Sequence, residues 1–136
     1  MKVIASSIFL YLNFILCNSI IFGQNPQTLK SLEPNEEYDN IHVMNLATDS
    51  LQSAFLIWIK SEVKLHKHEW HSENVIVLEG KGELTLGDSV YLLAPGDFVN
   101  IPMNTPHAVK VTSRRPMKVL SVQSPQFLGD DRVILE

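Results

Sequence analysis

The sequence has almost no cysteine: a single residue, Cys17, in a chain of 136. That excludes a disulfide framework and any structural metal knot built on thiolates. Basic charge is also in short supply, with 11 Lys and Arg against 15 Asp and Glu. A nucleic-acid-binding surface, which needs a basic face, is not expected from such a balance. Helical patterning is missing as well. No stretch carries a sustained 3.6-residue apolar period closed by capping residues, so helical crossovers between parallel strands are not expected.

What is present starts with an apolar segment. Residues 1–24, MKVIASSIFLYLNFILCNSIIFGQ, have Lys2 as their one charged side chain, an apolar run, and Gly23 near the end. This is the layout of a secretory signal peptide, with cleavage expected after Gly23 or Gln24 and export to a periplasmic or extracellular location. The competing reading is an uncleaved anchor, since the run has about the twenty residues that a bilayer requires. Asn13, Asn18 and Ser19 interrupt it and favour cleavage, which would leave no stable membrane anchor. Cys17 departs with the segment. The remaining 112 residues keep ten basic and fifteen acidic side chains, a net charge of −5, and form one small domain.

Residues 25–40, NPQTLKSLEPNEEYDN, are polar, contain two prolines and read as a lead-in arm to a domain over 41–136. From Ile41 onward the chain breaks into short runs rich in Val, Ile, Leu and aromatics. Nine strands are expected, at 41–47, 53–60, 62–66, 73–79, 83–86, 89–93, 97–101, 107–112 and 117–123. Turn chemistry separates them: Gly80-Lys81-Gly82, Gly87-Asp88, and Ala94-Pro95-Gly96-Asp97, whose Pro-Gly pair suits a type II turn. Closely spaced strands without helices imply an all-β antiparallel sandwich or barrel.

The chemistry concentrates in HKHEWHSE, residues 66–73, which hold three of the five histidines and two glutamates. Alternation along a strand puts His66 and His68 on one face, so both can reach a single ion. On the same reckoning Lys64 shares that face, while Val63 and Leu65 take the other. Glu73 heads a strand whose inward stripe continues through Val75 and Val77, and His107 heads another continuing through Val109 and Val111. A carboxylate or imidazole directed into a core needs a partner, and a shared metal ion would serve all four. Taken singly, each residue also fits a bland role: His107 a satisfied core histidine, His66 and His68 a polar strand end. Glu69 and His71 read as solvated loop, although His71 and Trp70 are also candidates for a pocket mouth. Trp58, Phe55 and Phe98 read as core, and His42 has no evident partner.

Taken together, the spacings resemble the cupin family. His66-x-His68, four residues, Glu73, six residues and Gly80 follow the second part of its first motif, G-x5-H-x-H-x3,4-E-x6-G. Gly96, five residues, Pro102 and then His107 follow its second, G-x5-P-x-G-x2-H-x3-N. Lys60, Asn104 and Val111 depart from motif positions and none is a ligand position; Asn104 suits a turn that needs positive φ. The resemblance implies a jelly-roll barrel with His66, His68, Glu73 and His107 as ligands of a divalent transition metal. The donor set suits Fe, Mn, Ni, Co, Cu or Zn. It further implies a small-molecule ligand and, with exposed edge strands, a homodimer. The reaction type stays open, since such barrels include oxygenases, isomerases, lyases and non-catalytic binders, some for carbohydrates.

Overall fold

The structure is a computed structural model and describes residues 26–135. The expected signal segment, 1–24, lies outside the described residues. Ten strands follow one short 3-10 turn, Leu29–Ser31: β1 Ile41–Thr48, β2 Ser53–Ile59, β3 Glu62–His68, β4 Ser72–Glu79, β5 Gly82–Leu86, β6 Ser89–Leu93, β7 Phe98–Ile101, β8 His107–Val111, β9 Met117–Ser124 and β10 Arg132–Ile134. They form two five-stranded antiparallel sheets, ordered β1-β2-β9-β4-β7 and β10-β3-β8-β5-β6. This is the antiparallel two-sheet arrangement expected from the strand pattern, and the jelly roll that the cupin resemblance implies. Nine of the ten strands fall where the sequence places them; β10 is the addition. Among the described residues no helix is long and apolar enough to cross a membrane.

The core lies between the sheets. Ile59, Val77, Leu84, Leu93, Met117 and Val119 are buried together, with Val63, Val75, Val109 and Val111 packed against them. These are the alternating apolar positions of their strands, so burial of one face drives the pairing. Trp58 is buried as expected and Phe55 is partly so, but Phe98 is 63% exposed and is not core. It opens the short edge strand β7, where one face meets solvent.

Turn residues behave as their chemistry dictates. Gly96 takes φ +98° and the Asp97 N–H donates to the Ala94 carbonyl at 3.1 Å, closing the Pro-Gly turn. Asn104 takes φ +59° and is the one non-glycine residue with positive φ among those described, which supports its place where glycine is expected. Its N–H donates to the His68 carbonyl at 2.6 Å, tying the loop before β8 to the end of β3.

The arm is not a free lead-in. Asn40 Oδ1 accepts from the backbone N–H and the hydroxyl of Ser61, at 2.9 and 2.7 Å. Lys118, only 1% exposed, directs its ammonium onto the carbonyls of Lys30 and Leu32 at 3.1 and 2.7 Å, with Glu79 at 3.4 Å. His42 finds company here, tilted against Tyr38 and Trp58 at ring separations of 5.6 Å each. The arm thus covers the outer face of the first sheet, and the buried ammonium is matched by carbonyl oxygens.

Candidate metal centre

One irregularity in β3 builds the site. β3 pairs with β8 as Val63↔Val109 and His66↔His107, so three steps on β3 match two on β8. That extra residue is a β-bulge, and it shifts the side-chain phase by one position. Val63 and the pair His66 and His68 therefore all line the interior. Lys64, expected to share the histidine face, is exposed instead. Simple alternation fails at the bulge, and the correction makes the histidine face more apolar than the sequence implied.

The bulge aligns three imidazoles. His66, His68 and His107 are each about 5% exposed or less, and one ligand nitrogen from each can be chosen so that all lie within 4.8 Å of one another. Their proton positions follow from the neighbours. His66 Nδ1 lies 2.8 Å from the Lys64 carbonyl, and His107 Nδ1 lies 2.9 Å from the Thr105 carbonyl. A carbonyl only accepts, so each Nδ1 carries the proton and each Nε2 keeps its lone pair free. His107 Nε2 is buried with no hydrogen-bond partner among the described residues.

Glu73 reaches the same place from the opposite sheet. Its Oε2 lies 3.8 Å from His68 Nε2 and 3.6 Å from His107 Nε2. Its Oε1 accepts from the Ser121 hydroxyl at 2.5 Å and from Gln123 Nε2 at 3.4 Å, both on the neighbouring β9. Burial, the largest effect on this carboxyl, would raise its pKa. The imidazole of His107, the Ser121 hydroxyl and the charge of His68 together outweigh it, holding the group down at about 2. For His66, burial acts first and the nearby His107 and Arg132 act with it, pushing the imidazole down to about 4. Burial likewise lowers His68, against the pull of Glu73. Two lone-pair nitrogens, the imidazole of His68 and a charged carboxylate thus converge, with an orphaned nitrogen among them. This donor set fits a divalent transition metal.

A second ring of contacts was hidden from the sequence. Asp131, 4% exposed, lies just before β10 and faces two histidines at once. Its Oδ2 is 2.7 Å from His71 Nδ1, and its Oδ1 is 3.4 Å from His68 Nδ1. The same Oδ2 accepts the Trp70 N–H at 3.1 Å. His71 is therefore 2% exposed rather than solvated loop, because a buried carboxylate from a remote segment draws it inward. Glu69 is exposed and pairs with Lys67 at 3.3 Å, in keeping with its reading as loop. Neither His71 nor Trp70 lines the barrel cavity. Trp70 is 68% exposed, beside Pro125 and Leu128 in a surface depression. Phe127 packs edge-on against both His68 and His71, at ring separations of 6.2 and 5.4 Å.

Above the donor set opens a cavity of about 180 Å³. Phe55, Ile57, Val75, Leu84, Val99 and Val119 are among its mainly apolar walls. Apart from the four donors, its polar lining is Gln123 and Arg132. A mostly apolar cavity ending in a few convergent polar groups is the common form of a small-molecule site.

A family model described as "Cupin domain" matches residues 55–123, just over half of the chain. An uncharacterized protein of Aquifex aeolicus is 32% identical over 117 residues, covering 82% of this chain and 96% of its own length. Quercetin 2,3-dioxygenase of Bacillus subtilis is 49% identical over 51 residues, covering 38% of this chain and 15% of the dioxygenase. In seven curated relatives, the dioxygenase among them, the chain spans only 15% to 65% of their length. Among solved structures, a double-stranded β-helix protein of Klebsiella pneumoniae superposes with a TM-score of 0.69 at 15% identity, covering 83% of this chain and 98% of the other. At that identity the likeness speaks for the fold alone.

Proposed function

The chain belongs to the cupin domain family, and from that premise we propose that it is a metal-dependent enzyme acting on a small organic molecule held in the barrel. His66, His68, His107 and Glu73 would hold a divalent transition metal at the cavity floor. The observation that carries this reading is the convergence of free Nε2 atoms and a charged carboxylate beneath an otherwise apolar cavity. Such an ion supplies Lewis acidity and open positions for substrate or water. The chain's own residues supply the rest: backbone carbonyls fix the tautomers of His66 and His107, Ser121 and Gln123 hold Glu73 in place, and the apolar walls exclude water. A reaction of dioxygenase type has the support of the matching segment of quercetin 2,3-dioxygenase, 49% identical over 51 residues.

A second reading has its own support. Beyond the four donors the polar cavity lining among the described residues is Gln123 and Arg132, with no separate acid–base pair. That favours a metal-dependent binding module without turnover. Export and homodimer formation belong with either reading, supported by the apolar leader and by exposed Val90, Tyr91 and Leu92 on the edge strand β6. Loading the protein with Mn(II) and measuring water-proton relaxation tests the enzyme reading. Exchangeable water on the ion is the expected result. A saturated four-coordinate zinc that resists chelators, with no exchangeable position for Mn(II), would contradict it.

A further inference from the structure

Arg132 stands out among the residues lining the cavity. Among the described residues it is the one Lys or Arg there, on a strand that the sequence pattern did not predict. β10 pairs antiparallel with β3, placing Arg132 directly opposite His68 and Val133 opposite Lys67. Directly opposed residues share a face, so the arginine takes the inward side with His68 while Val133 takes the outward side. Arg132 also lines the cavity while being exposed to solvent, so it stands where the cavity opens. Among the described residues it makes no ion pair, although every other charged group at the site has a facing partner. Among the described residues the only carboxylate lining the same cavity is Glu73, whose charge is felt at Arg132 without an ion pair and which is already engaged by Ser121, His68 and His107.

An unpaired guanidinium at the rim of an apolar cavity is a partner for a planar anion, because its fork of N–H groups matches a carboxylate in two parallel hydrogen bonds. The size of the space adds a second constraint. A dry cavity of about 150 Å³ accommodates a benzene ring, and this one measures about 180 Å³. We propose that the cavity selects a small anionic molecule, an apolar body of about one ring bearing a carboxylate or an equally compact acidic group, and that Arg132 is the residue that reads the charge. The body fills the space between Phe55, Val75 and Val99 while the acidic group faces Arg132 at the mouth. This deepens the proposed small-molecule function and rests on it for the use of the cavity, though not for the identity of the metal. Arg132 thereby acts as a specificity-determining residue.

Benzoate is a suitable probe and neutral benzamide its control. Binding of each is measured by titration calorimetry to the protein as isolated and after chelator treatment, for the natural sequence, Arg132→Gln and Arg132→Lys. Benzoate is expected to bind the natural protein in both preparations. Arg132→Gln should weaken it at least tenfold, and Arg132→Lys less, with benzamide unaffected by either. Metal content and melting temperature should be unchanged in both variants. Equal benzoate affinity in the natural protein and Arg132→Gln overturns the proposal, as does failure of benzoate to bind the natural protein at millimolar concentration. Benzoate binding that needs metal and ignores Arg132 overturns it too, since the ion would then be reading the anion. Arg132-dependent binding in a protein that never takes up metal leaves this inference standing and contradicts the metal reading alone.

Discussion

At the scale of single residues, the site is prepared for a cation by the protonation states that burial and neighbouring groups set between them. Glu73 stays charged because Ser121, His107 and His68 outweigh its burial, and His66 stays neutral because burial and neighbouring charge disfavour the imidazolium. Both folded-state values lie below the ordinary ones, so in acid the unfolded chain binds protons before the folded chain does. Stability must then fall with falling pH: first between about 6.5 and 4 as His66 titrates in the unfolded state, then toward 2 for Glu73. The lowered His68 acts in the same direction. Metal-free protein melted at pH 7, 6, 5 and 4 should therefore lose melting temperature progressively below about 6.5. A flat profile from pH 7 to 5 would contradict these assignments. Alternation made His66, His68, Glu73 and His107 candidates and left each ambiguous; they became one set through the resemblance to the cupin motifs. Asp131 was not legible, because it reaches His68 and His71 from some sixty residues away and belongs to no local pattern.

At the scale of elements, two departures from regularity set the geometry. The bulge in β3 brings Val63 and His66 to the same face, which strict alternation forbids. The short β10 was invisible because three residues, Arg132–Ile134, after a Gly-Asp-Asp turn carry too little periodicity to be recognised as a strand. It is defined by pairing with β3, a tertiary event. A third feature, the glycine after β4, was legible and has a clear physical basis. Gly80 takes φ +76°, and a Cβ there would stand 2.7 Å from both Met117 Cα and the Pro116 carbonyl oxygen. Those are backbone atoms at the start of β9 and cannot rotate away. Gly80→Ala is expected to cost roughly 1–2 kcal/mol for the left-handed backbone and about 1–3 kcal/mol more for overpacking. Urea unfolding should show a lower midpoint at an unchanged slope. A stability equal to the natural protein's would mean that β4 and β9 separate more readily than their register implies.

At the scale of the whole molecule, the donor set spans the two sheets. His66, His68 and His107 come from β3 and β8 of one, Glu73 from β4 of the other. In a domain whose sequence after residue 24 has no cysteine, an ion shared across the sheets would take the place a disulfide fills elsewhere. The all-β class, the strand count to within one and the inward stripes were readable from the sequence, because they rest on alternation and turn chemistry. The docking of the arm on Lys118 and the closure of the His68 side by Phe127, Asp131 and Arg132 were not, since both depend on which distant segments meet. The proposed function turns on the three histidines and Glu73 holding one metal ion together. Elemental analysis of the purified protein beside its His68→Ala and His107→Ala variants tests it most directly. About one divalent transition metal per chain is expected in the natural protein, with most of it lost and a lower melting temperature in each variant. Equal metal content in all three proteins, or no metal uptake by the natural protein on reconstitution, would contradict the account.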